Sequence, residues 1–139
     1  MKIKIATESE LKYCYKIMHQ VREDLSEEDL SKIISEQIKN GYKLAYVLKD
    51  DQVICVAGFS ILQKLSLGKH LYIDDFVTDK SVKSSDAGKA LLDFLKIYAK
   101  QQDCRSIELD SLVQRYDAHK FYLSEDMQIV SHHFSFGIE

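Results

Sequence analysis

Two adjacent carboxylates sit where the chain otherwise reads as apolar. Asp74 and Asp75 interrupt Leu71–Thr78, a run of apolar, aromatic and β-branched residues that reads as a strand. A carboxylate half-buried in such a strand has a raised pKa and can take up and pass on a proton. Successive strand residues face opposite sides, so only one of the pair is expected to point at a given cleft. The plainer reading puts one Asp on a solvated face and gives the other backbone hydrogen bonds. Asp79–Asp86 follows, polar and small. From Ala87 the apolar residues recur at 87, 91, 94, 95 and 98, one helical face, with Lys89, Asp93, Lys96 and Lys100 opposite. A strand feeding a small-residue loop and a helix start is a physical site for an anion. The first-turn N–H groups lack helical partners, and the helix dipole favours negative charge there.

The elements around this stretch follow from local pattern. Lys2–Ala6 alternates polar and apolar and reads as a short strand. Thr7 or Ser9 can cap a helix through about His19, with Leu11, Cys14, Tyr15 and Met18 inward. Arg22–Glu28 is charged and has no apolar period. Ser26 then opens a second helix with carboxylates in its first turn. That helix carries Leu30, Ile33, Ile34 and Ile38 to a stop at Asn40-Gly41. Tyr42–Leu48 and Val53–Leu62 read as strands joined by a hairpin turn at Lys49–Gln52, and Leu67-Gly68 marks the next turn. Three strands in series predict an antiparallel meander. Leu71–Thr78, the helix at 87–100 and a strand at Ser106–Asp110 form a βαβ unit with a right-handed crossover. A short helix at Tyr116–Leu123 and a strand at Gln128–Phe136 close the chain, with His132 and His133 on opposite faces.

Composition narrows the function. At 139 residues the chain is expected to be one domain, 1–139. The net charge is −3 with no basic stripe, which argues against nucleic acid as a partner. No apolar run approaches the roughly 18 residues of a membrane span. The N-terminus lacks the apolar core of a signal peptide, so a cytoplasmic location is expected. Cys14, Cys55 and Cys104 are odd in number and widely spaced, and they read as buried thiols. No histidines, His119, His132 and His133 included, fall at metal-ligand spacing, and no metal is expected.

Two motifs go further. Lys83-Ser84-Ser85-Asp86-Ala87-Gly88, followed by Lys89-Ala90-Leu91-Leu92, resembles the acetyl-CoA pyrophosphate loop of the GNAT superfamily of N-acetyltransferases, Arg/Gln-x-x-Gly-x-Gly/Ala. Downstream, Ala118-His119-Lys120-Phe121-Tyr122 is close to that family's A-x-x-F-Y. The matches come in family order and spacing. The resemblance implies an α/β fold with a mixed, mostly antiparallel sheet flanked by helices, in the order β-α-α-β-β-β-α-β-α-β. It implies acyl transfer, with acetyl the expected group, from acyl-CoA to a primary amine by direct attack in a ternary complex. Lys83, Ser84, Ser85, Asp86, Ala87, Gly88 and Lys89 are then expected at the pyrophosphate, and Phe76, Val77 and Thr78 along the pantetheine arm. Asp74 or Asp75 is expected to relay the amine proton, and Tyr122 to protonate the leaving thiolate. The acceptor is a small-molecule or peptide amine, and a homodimer is one option.

The loop also departs from the family. Lys83 replaces Arg and loses its fork for phosphate. Ser84 stands for the first glycine and Asp86 for the middle one, while Arg115 replaces Asn and Asp126 replaces Gly. A carboxylate about 5 Å from a phosphate costs roughly 1–3 kcal/mol in a partly solvated site. The alternative is therefore a catalytically inactive binding or assembly module with weakened or lost CoA binding.

Overall fold

The computed structural model describes residues 1–83 and 86–139. These form two compact units, Met1–Leu109 and Asp110–Glu139.

The first unit is built on a five-stranded sheet in the order β1-β2-β3-β4-β5: Lys2–Ile5, Lys43–Lys49, Gln52–Lys64, Gly68–Thr78 and Ser106–Leu109. The first four strands are antiparallel neighbours, and β4 pairs β5 in parallel. The parallel pair is joined by α3, Asp86–Gln101, as a βαβ unit requires. Leu91, Leu92 and Leu95 on its inner face are fully buried. α1, Leu11–His19, and α2, Glu27–Lys39, lie between β1 and β2 in the chain. Their buried faces, Leu11, Cys14, Ile17, Met18, Leu30 and Ile34, join one apolar cluster with Leu44, Val56 and Val77 of the sheet.

The helix ends are where local chemistry puts them. The Thr7 N–H donates to the Glu10 carboxylate at 2.9 Å, and a 3-10 turn at Glu8–Glu10 leads into α1. Ser26 caps α2, its hydroxyl accepting from the Asp29 N–H at 3.0 Å. α2 stops at Gly41, whose φ of 99° is one few side chains tolerate. The Gly41 and Tyr42 N–H groups close the helix by donating to the Ile38 and Gln37 carbonyls. That turn aims the chain into β2 and leaves Tyr42 buried at its threshold.

In the second unit α4 spans Tyr116–Ser124. The strand expected at Gln128–Phe136 is not formed, so the observed order ends on a helix. Apolar alternation supplies the faces of a strand but not its hydrogen bonds, and no other strand lies within this unit to provide them. Ile129, Val130, Phe134 and Phe136 are exposed. The expected opposition of His132 and His133 across a strand falls with it.

Candidate active site at the β4 bulge and the start of α3

β4 is regular up to Ile73 and then irregular. Phe59 of β3 faces Ile73, but Gly58 faces Asp75, so Asp74 is an extra residue in β4. This is a β-bulge, and it interrupts the alternation of side chains. Asp75 bears on Asp74, and both bear on the Tyr42 phenol. Asp74 is exposed at the bulge and Asp75 is half-buried. Desolvation by the surrounding protein, and then the Asp75 charge, push the Asp74 carboxyl above the ordinary carboxylate value. Asp75 accepts a 2.5 Å hydrogen bond from the Tyr42 hydroxyl. Burial first, then Asp75, holds that phenol well above its ordinary pKa, so it stays a donor. Arg22, just beyond α1, is kept charged chiefly by Asp24, with a further contribution from Asp75. Neither Tyr42 nor Arg22 stands out in the sequence. Tyr42 reads only as the first residue of a strand, and its partner is 33 residues away.

The ladders of β4 also change at the bulge. Pairing with β5 runs from His70–Ser106 to Ile73–Leu109 and stops. Pairing with β3 continues to Thr78–Cys55. Phe76, Val77 and Thr78 thus lie on a stretch laddered to β3 and not to β5. An edge released from one neighbour is where an extended ligand can dock by main-chain hydrogen bonds.

Beyond Thr78 the loop is tied back to the end of α1. Gln20 donates to Asp79 at 3.1 Å and accepts from the Lys80 N–H at 3.0 Å, and Lys80 pairs with Glu23 at 2.9 Å. Lys83 is exposed, and Ser84 and Ser85 lie outside the described residues. Asp86 is the exposed first residue of α3, where a carboxylate favours the helix dipole. Ala87 and Gly88 are buried and Lys89 is exposed.

Tyr122 belongs to the second unit, half-buried on α4 with its ring edge-on to Phe121 at 5.4 Å. Just beyond α4 and its cap at Glu125, Asp126 has a φ of 66°. The position where the family has glycine is thus left-handed here too, and Asp occupies it at a conformational cost. His119 is engaged with the Leu112 carbonyl at 2.8 Å.

Cys14 and Cys55 are buried, and burial raises their thiols to about 12 and about 11. Cys104, expected to be buried with them, is half-buried. Among the described residues no group of three His, Cys, Asp or Glu is placed to hold a metal ion, and no helix is long and apolar enough to cross a membrane.

The fold is thus a mixed sheet with a bulged fourth strand, joined through α3 to a parallel fifth strand. The model of the acetyltransferase (GNAT) family matches residues 9–124, and the chain belongs to this family of N-acetyltransferases, which use acyl-CoA and amine acceptors. It is 31% identical over 109 residues to the uncharacterized N-acetyltransferase YhdJ of Bacillus subtilis (strain 168), covering 78% of this chain and 77% of that one. The aminoglycoside N-acetyltransferase AAC(6')-Iy in complex with CoA superposes with a TM-score of 0.87 at 11% identity, over 99% of this chain and 93% of that one. The apo aminoglycoside 6'-N-acetyltransferase AAC(6')-IG of Acinetobacter haemolyticus superposes at 0.81 and 18% identity, over 100% and 99%. At these identities the two superpositions establish the fold.

Proposed function

We propose that residues 1–139 act as one acyltransferase domain that moves an acetyl group from acetyl-CoA to a primary amine in a ternary complex. The observation that carries this reading is the β4 bulge. It sets a carboxyl of raised pKa directly before a stretch no longer laddered to β5. Phe76–Thr78 holds the pantetheine arm through main-chain groups. Lys83 and the first turn of α3, from Asp86 to Lys89, hold the pyrophosphate, with Ser84 and Ser85 assigned by the motif alone. Asp86 weakens this binding by like charge without abolishing it, since Lys83 and the helix N-terminus oppose it.

The chemistry then runs in one step of attack. The acceptor arrives as an ammonium and gives a proton to Asp74, whose raised pKa makes it a better base near neutrality than an ordinary Asp. The freed nitrogen attacks the thioester carbonyl, a C–N bond forms and the C–S bond breaks. The thiolate leaves with a proton from Tyr122, assigned by the motif alone, which solvent restores, and the second amine proton is lost to water. Neither Cys14 nor Cys55 serves as an acyl carrier, because both are buried and protonated at neutral pH.

The test is thermal unfolding with and without acetyl-CoA, in the wild type and in Asp86→Gly. Saturation at 100 times the dissociation constant adds about 2.7 kcal/mol, which amounts to several degrees in a domain of this size. A rise in the wild type, larger at equal concentration in Asp86→Gly, is expected. A rise confined to the glycine variant would instead establish an inactive fold in which Asp86 excludes CoA.

A further inference from the structure

Tyr42 occupies an unusual station. Its side chain is buried, and its hydroxyl ends 2.5 Å from Asp75 Oδ2. It reaches that carboxylate by lying across Gly58 of β3, where any Cβ would fall onto the phenol oxygen. Gly58 is also the residue that faces Asp75 at the bulge. Three distant points of the chain therefore build one contact: the glycine stop of α2 that turns Tyr42 inward, the bare backbone of Gly58, and the extra residue in β4.

We propose that Tyr42 is a positioning residue for this bulge: its hydroxyl, passing over Gly58, pins the Asp75 carboxylate in place and leaves Asp74 as the carboxyl that exchanges the acceptor's proton. The assignment rests on the proton relay above and divides the labour within it. A carboxylate that already accepts a short hydrogen bond is held in place. It draws a cationic ammonium electrostatically, and its charge keeps the neighbouring Asp74 basic. The other groups that bear on this centre are the Cys14 thiol of α1, buried and protonated, and the Arg22 guanidinium beyond it. Arg22 is itself engaged with Asp24, at 3.0 and 2.9 Å.

The experiment needs neither acceptor nor acetyl-CoA, so it stands or falls apart from the transferase reading. The side-chain carboxyl carbons of the Asp74–Asp75 pair are titrated by NMR in the wild type, in Tyr42→Phe and in protein carrying 3-fluorotyrosine at position 42. Phenylalanine keeps the ring and removes the donor, so the pair's macroscopic midpoint moves to higher pH, by about one unit. Fluorotyrosine is a stronger donor that leaves the fold intact, and it moves the midpoint the other way. Opposite shifts support the assignment. Absence of both shifts in folded protein, shown by an otherwise unchanged amide spectrum, would overturn it and leave Tyr42 as core packing.

Discussion

The two halves of β4 were built to different rules. From Gly68 to Ile73 the strand is laddered to β3, and from His70 onward to β5 as well; His70, Leu71 and Ile73 are buried. From Asp74 to Thr78 it keeps only the β3 ladder, and its first two residues are carboxylates. From His70 to Ile73 the strand is held on both edges. The second half begins at a bulge, gives up one neighbour and carries charge. A single inserted residue separates them. The proposed chemistry lies where continuity stops, because there side chains and main chain can serve something other than the fold.

That contrast can be tested from both ends. The largest effect is expected on the chemical side. Asp74→Asn removes the proposed proton acceptor and should lower kcat by about 10²-fold or more, read as thiol released from acetyl-CoA against a panel of primary amines. A rate near that of the wild type would remove Asp74 from the mechanism. On the structural side, Leu71→Ala deletes a fully buried side chain in the doubly laddered half. It should cost about 2–5 kcal/mol in urea unfolding, with the rate per folded molecule little changed. A collapse of activity without loss of stability would mean that the two halves are not separable.

The smallest effect is the most diagnostic of the bulge. Asp74 has a raised carboxyl pKa in the folded state, so folding binds its proton more tightly than the unfolded chain does. Its stabilising contribution is present below the unfolded value of about 3.9 and is lost as pH rises through the folded value. Asp74→Asn should therefore raise Tm slightly at neutral pH, and the gain should vanish in acid. A variant less stable than the wild type at neutral pH would show that the charged form is favoured in the fold.

Much of the architecture was legible from local pattern. The Ser26 cap, the Asn40-Gly41 stop, the hairpin at 49–52 and the period from Ala87 all mark features the structure contains, because each rests on residues within a turn or two of one another. The motif around Lys83–Lys89 and the tyrosine helix pointed to the family for the same reason. The strand expected at 128–136 failed because alternation is a local property while a ladder partner is not. The bulge at Asp74 was not legible because a bulge is a mismatch of length between two strands, visible only once β3 and β4 are paired.

The sequence alone thus determined most of the elements, the Ser26 cap and Asn40-Gly41 stop of α2, and the family, all of which are written in short-range spacing. The tertiary structure alone decided which carboxylate took a partner and which was left exposed with a raised pKa. That choice depends on Tyr42 reaching Asp75 over Gly58, three residues whose meeting is set by the register of paired strands and by no spacing along the chain.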